Sequence, residues 1–202
     1  MSANEKQSKK CSVNRSLFYL LFAILYLIPM TVFFIDGFKD VLHFFRRITG
    51  LTAVVSLFIA IMLTLLVKES KKLFGVYFLK IHHFFAFIGL LLISLHPVFM
   101  ALDFGTTEIF IPDFSSWQTF FKNGGPLALY LIYIAVIAAL LNKKITKSWK
   151  YIHALMYPAF LLGTVHGIWK GSDMGNPMLS FLYTGLIVAV FITFFYKRYQ
   201  KK

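Results

Sequence analysis

Six times along this chain, an apolar run of the length needed to cross roughly 30 Å of hydrocarbon ends in a polar or basic turn. In lipid such runs can satisfy their backbone only as helices or as a closed barrel, and none alternates with the two-residue period of a strand. The expected fold is therefore an all-α membrane protein, a bundle of six transmembrane helices. The predicted spans are Leu17–Ile35, Thr49–Val67, Leu73–Leu102, Pro126–Leu141, Trp149–Trp169 and Pro177–Tyr196. Between them lie the loop Asp36–Arg47, the basic turn Lys68–Lys72, the long loop Asp103–Gly125 and the basic turn Asn142–Ser148. The domain reading is a polar, disordered tail over 1–16, one membrane domain over 17–196 and a basic tail over 197–202. The first apolar run follows a basic tail and lacks a small-residue cleavage site, so it reads as a retained helix rather than a signal peptide.

The formal net charge of +13 raises the question of nucleic acid, and the distribution of the charge answers it. Fifteen Lys and Arg fall in the two tails, the turn after helix two and the stretch Asn142–Lys150 after helix four, against five in the other connections, with Lys80 inside a span left out. This asymmetry is the positive-inside pattern. It puts both termini and both basic turns in the cytoplasm, and it implies a multi-pass protein of the plasma or inner membrane with the bilayer, not nucleic acid, as its partner. The single cysteine, Cys11, excludes a disulfide framework, an iron–sulfur run and a c-type haem attachment motif.

Histidines interrupt two of the spans. Helix five carries His153 and His166, and helix three carries His82, His83 and His96. An ionisable ring in hydrocarbon marks a functional site. Thirteen residues between His153 and His166 correspond to roughly 20 Å of helix, too far for one ion and suited to two sites at two depths. Both helices run outward in this topology. His82 and His153 therefore lie near the inner face, and His96 and His166 near the outer face. Fourteen residues bring His96 to within roughly 40° of His82 on the helix wheel, whereas thirteen leave His166 about 140° from His153. Pro158, between that pair, is able to kink or unwind helix five.

Two imidazoles at each depth, with no Asp or Glu on helices three or five, leave zinc half ligated. Haem supplies four nitrogens and needs two axial ligands, so the pairs suit two b-type haems. Bis-histidine iron has no open position for substrate and points to electron transfer. His83 is the alternative to His82 as a ligand. Arg46 and Arg47 on the outer side, and Lys72 or Lys80 on the inner side, are candidates to neutralise propionates. His43 reads as a surface residue of the outer loop. Trp149, Tyr151, Tyr157 and Trp169 read first as interfacial belt aromatics and second as haem packing, and Trp117, Phe120 and Phe121 suggest that the long outer loop lies on the membrane surface.

These features resemble the ferric reductase-like transmembrane domain family, which is shared by ferric reductases, NADPH oxidases and the haem-binding subunit of the methionine-sulfoxide reductase system. The resemblance rests on HHFFAFIGLLLISLH in helix three, on Trp149, His153, Tyr157, His166 and Trp169 in helix five, and on Thr49-Gly50-Leu51-Thr52-Ala53 opening helix two. It covers roughly Arg46 to Tyr196. It implies six helices and the haem ligands His82, His96, His153 and His166, with His82 favoured over His83. Ferric reductases and NADPH oxidases continue into a flavin and nicotinamide domain, and no glycine-rich nucleotide loop occurs in this sequence. The expected function is that of an electron-transfer subunit of an oxidoreductase. Its donor would be a separate cytoplasmic flavin reductase or quinol, with FMN or quinone at the inner face or on a partner. Its acceptor would be extracytoplasmic, ferric iron or a redox protein, met by the outer loop with Asp103, Glu108 and Asp113. A haem-binding subunit of a methionine-sulfoxide reductase-type system is the nearer alternative. The competing class is a non-redox transporter or assembly factor whose intramembrane histidines relay protons or bind a metal.

Overall fold

The computed structural model describes residues 3–37, 39–74, 77–145 and 147–199. Among these residues there is no strand, and the chain is all-α. Four helices are long and apolar enough to cross a membrane by length and composition: Ser16–Asp36, Val41–Leu65, Phe78–Phe104 and Pro177–Tyr196. Gly125–Leu140 is a shorter apolar helix.

α1 runs Ala3–Asp36 and contains the buried Pro29. The expected disordered tail over 1–16 is therefore helical from Ala3 onward, while Met1 and Ser2 lie outside the described residues. α2, Val41–Leu65, begins eight residues earlier than the hydropathy suggested, because Asp40 caps it by accepting the His43 N–H at 2.8 Å. Most of the expected Asp36–Arg47 loop is thus the first turns of a helix. The basic turn after α2 is a short amphipathic helix, α3, Val67–Phe74. α4 spans Phe78–Phe104 and stops at Gly105, whose φ of 65° is a left-handed conformation that a side chain would strain.

The long loop after α4 is ordered by a 3-10 turn, Glu108–Phe110, and by α5, Trp117–Lys122, capped by Ser116. α6 is Gly125–Leu140, with Pro126 in its first turn where no N–H is needed. The expected fifth helix is two: α7, Trp149–His153, and α8, Met156–Lys170. The break falls at Ala154–Leu155, four residues before Pro158, which has no N–H to give the Ala154 carbonyl. That carbonyl instead accepts from Tyr157 at 3.1 Å, and Leu155 donates to Ile152 at 3.0 Å, so the chain tightens into 3-10 turns. Each residue so wound advances about 120° instead of about 100°, which recovers part of the mismatch between His153 and His166. After a 3-10 turn over Ser172–Gly175, α9 closes the chain as Pro177–Tyr199, absorbing the first residues of the expected basic tail. Residues 200–202 lie outside the described residues.

α2 is the central post. Of its apolar window 61% is buried, against 6% for α4, because α1, α4, α8 and α9 all pack on α2. Its polar side chains survive burial by bonding back to the helix. Thr49 donates to Phe45 O at 2.6 Å, and Ser56 to Thr52 O at 2.8 Å. Val55, Phe58, Ile59, Phe160 and Leu186 fill one half of the interior, and Val32, Phe33, Leu51, Leu179 and Tyr183 fill the other. At the start of α2, Arg47 and Asp173 form a buried ion pair, with Nε to Oδ1 at 2.8 Å. That pair ties the turn before α9 to the start of α2.

Candidate functional site

The bundle contains two antiparallel hairpins, α2 with α4 and α6 with α7–α8. Each carries one histidine pair, and in each the partner strand of the hairpin offers main-chain carbonyls to the rings. His82 Nδ1 lies 3.0 Å from Ala60 O, and His96 Nδ1 lies 2.8 Å from Arg46 O, both on α2. His153 Nδ1 lies 3.0 Å from Ala135 O on α6, and His166 Nδ1 lies 2.7 Å from Lys122 O at the end of α5.

The register explains the repetition. Fourteen residues separate His82 from His96, and fourteen separate Arg46 from Ala60; thirteen separate His153 from His166, and thirteen separate Lys122 from Ala135. Antiparallel elements of equal rise therefore meet at both ends.

A carbonyl can only accept, so each of the four Nδ1 atoms carries the proton and each Nε2 carries the lone pair. No Nε2 among the four has a hydrogen-bond partner among the described residues. This is the tautomer a metal-ligating histidine needs, with ring orientation fixed through its other nitrogen. His83 differs. It is exposed, its ring rests beside His82 at 5.5 Å between centroids, and it bonds no carbonyl. His43 has the opposite polarity, its Nδ1 facing the Lys39 N–H at 3.2 Å, and it sits on the first turn of α2 rather than in a loop.

α4 lies along α2, and α8 lies on α5, α6, α2 and α9. Among the described residues no three His, Cys, Asp or Glu converge on one ion. Rings with Nδ1 bonded and Nε2 without a partner match the donor chemistry of axial haem ligands.

The basic candidates divide. Arg47 is spent on the fold: Asp173 takes its Nε and Nη2, the Gly37 carbonyl takes Nη1, and the Phe33 ring lies 4.9 Å away. It is not free to hold a propionate. Arg46 is paired with Asp103, its buried Nε 3.1 Å from Oδ2 without the alignment of a hydrogen bond, and its guanidinium lies 4.8 Å from the Phe104 ring centre. The residue whose carbonyl holds His96 thus carries a cation already paired with a carboxylate. Lys80 lies over the Tyr77 ring at 5.3 Å and lines a cleft of about 630 Å³ between α1 and α4, with Phe22, Tyr26, Tyr77, Phe84 and Phe85. Lys72 is exposed on α3.

The aromatics sort similarly. Trp149 sits 6.1 Å from the His153 ring, Tyr157 packs on Phe194 at 4.8 Å, and Trp169 meets Phe121 edge-on at 6.2 Å. Tyr151 and Trp117 project outward, 82% and 81% exposed, as interfacial anchors do. The loop between α4 and α6 is less acidic than its sequence suggests, because Asp103 is paired with Arg46. Asp113 accepts the Ser115 N–H at 2.9 Å, which holds its carboxyl below the usual range. The carbonyls of Arg46, Ala60, Lys122 and Ala135 were invisible to sequence reasoning, since an acceptor common to every residue leaves no compositional trace.

Comparison with known proteins returns no match to a family model, a curated protein or a solved structure.

Proposed function

We propose that this chain is a membrane cytochrome b subunit that carries electrons across the bilayer on two haems. His82 and His153 would ligate the inner one, and His96 and His166 the outer one. The observation that carries the reading is the shared state of the four rings on α4, α7 and α8: each gives Nδ1–H to a main-chain carbonyl and keeps Nε2 free. A bis-histidine haem supplies a one-electron couple with no open coordination position. The protein's part is to fix tautomer and ring orientation, to exclude water with apolar helices and to set charge at the two ends. Arg46 would supply positive charge near a propionate on the outer side, shared with Asp103.

The resemblance to the ferric reductase-like transmembrane domain supports the same reading, including six spans with both ends cytoplasmic in a plasma or inner membrane. In that arrangement α6 and α7–α8 are the fourth and fifth spans. Electrons would enter from a cytoplasmic flavin reductase or quinol outside these 202 residues. The basic α3 and the turn around Lys143, Lys144 and Lys147 offer an acidic reductase a docking charge. They would leave to ferric iron or a redox protein on the far side; a sulfoxide reductase is the nearer alternative acceptor.

The test begins with colour. Purified protein from haem-replete cells should show reducible low-spin bands and release its haem without breaking a covalent bond. A colourless preparation would favour a transporter or assembly factor. Proteoliposomes loaded with NADPH and a flavin reductase should then reduce an impermeant external acceptor. Labelling at Cys11 from the cytoplasmic side alone would support the orientation.

A further inference from the structure

The outer histidines share a feature that the inner ones lack. A carbon added at Gly50 would stand 2.9 Å from both Cε1 and Nδ1 of His96, and one added at Gly125 would stand 2.8 Å from Nε2 and 2.9 Å from Cδ2 of His166. No other described glycine meets a histidine ring. Gly50 is one turn beyond Arg46, and Gly125 is three residues beyond Lys122. In both cases the glycine therefore belongs to the same stretch of chain whose carbonyl holds the ring.

That coincidence makes the ring unable to yield. An imidazole pressed by a new methyl would ordinarily swing aside, but these are tethered at 2.8 and 2.7 Å to the backbone that carries the methyl. Moving away lengthens the bond that fixes the tautomer. At His166 the two carbons flanking Nε2 are nearly as close to the added carbon as Nε2 itself, so the clash falls on the face of the ring, and the lone-pair direction stays open when the residue is glycine. Contacts below 3.0 Å are far inside van der Waals range, where packing cannot absorb the overlap without displacement.

We infer that Gly50 and Gly125 are positioning residues of the outer site. Each provides a side-chain-free bed that lets His96 or His166 lie against the backbone with Nδ1 bonded and Nε2 presented for ligation. The inference rests on the haem reading above and deepens it by giving the two sites unequal tolerance to substitution.

The experiment compares purified wild type with Gly50→Ala, Gly125→Ala and Gly89→Ala, scored by haem content, low-spin electron paramagnetic resonance and redox titration. Gly89 is the packing control, because its added carbon would press Leu57 at 2.8 Å on the same α2–α4 contact and touch no histidine. Gly50→Ala and Gly125→Ala should each halve the haem content, or shift the signal and potential of one haem while the other keeps its wild-type values. Gly89→Ala should leave both haems' spectra unchanged. The inference is overturned if the Gly50→Ala and Gly125→Ala variants match wild type, if they lose both haems together, or if Gly89→Ala perturbs a haem as much as they do. A wild-type protein without haem would overturn the underlying reading, a result distinct from either of these.

Discussion

Truncating Asp173 to alanine should cost the end of the bundle where the turn before α9 meets α2 about 2–4 kcal/mol. Arg47 and Asp173 are 7% and 6% exposed, so the pair is held almost out of solvent. Removing one partner from such a pair typically costs about 3–5 kcal/mol, because the other is left as an uncompensated buried charge. Two contacts remain to soften the loss: the Gly37 carbonyl keeps Nη1, and Asp36 lies 3.8 Å from Nη2. Asp36 is 39% exposed, and solvent screening limits its compensation to roughly 1 kcal/mol. The paired replacement Arg47→Met with Asp173→Leu should restore stability to within about 1 kcal/mol of wild type, since two apolar side chains fill the space without a stranded charge. Reversible unfolding in mixed micelles, run on the four members of the cycle, measures this. Single variants within about 0.5 kcal/mol of wild type, or a double variant as damaging as the sum of the singles, would refute the reasoning.

On the proposed haem reading, replacing His96 or His166 should remove one low-spin signal, and replacing His82 or His153 the other; His83→Ala should keep both, and a spectrum lost with His83 but kept without His82 would exchange their roles. Tyr183→Phe keeps the ring in the core beside Leu51 and Leu179 but deletes the hydroxyl that donates to Leu51 O at 2.7 Å, and should cost about 1 kcal/mol in the same unfolding assay. The Asp113 carboxyl is stabilised in its charged form, first by the Ser115 N–H, so its contribution to loop order is present above the usual carboxylate range and fades only as pH falls through its lowered folded value. An amide titration at Ser115 with a midpoint at or above the usual carboxylate range would contradict that.

The helical class, the positions of most apolar runs and the histidine pairs were legible from the sequence because hydropathy and spacing report them directly. Helix ends were not. α2 starts at Val41 rather than near Thr49 because Asp40 caps it and because the arginines of its second turn are ion-paired, Arg46 half-buried against Asp103 and Arg47 buried against Asp173, and pairing is invisible to hydropathy. Helix five was foreseen as bent at Pro158, yet the break falls one turn earlier, where the missing N–H leaves its mark on Ala154. Arg47 looked like an anion-binding residue because its partner Asp173 is 126 positions away along the chain.

What the structure adds to the histidine pattern is a reason for its two unequal spacings. A histidine held by a neighbour's carboxylate could sit at any spacing, so long as the carboxylate moved with it. Held by a main-chain carbonyl, the ring depends on the register of an antiparallel hairpin, and the spacing on one element must equal the spacing on the other. Fourteen is matched by fourteen between α4 and α2, and thirteen by thirteen between α7–α8 and the α5–α6 stretch. The second hairpin reaches equality although α8 is broken from α7 and Lys122 lies on α5 rather than α6, so the two irregularities offset each other. It follows that no side-chain substitution can delete these acceptors. A one-residue insertion between Arg46 and Ala60, or between Lys122 and Ala135, should shift one carbonyl of the hairpin about 100° around its helix and release one ring while the other stays bonded. The expected result is the loss of a single low-spin signal from a protein whose four histidines are all intact. Retention of both signals would show that the carbonyls do not hold the rings.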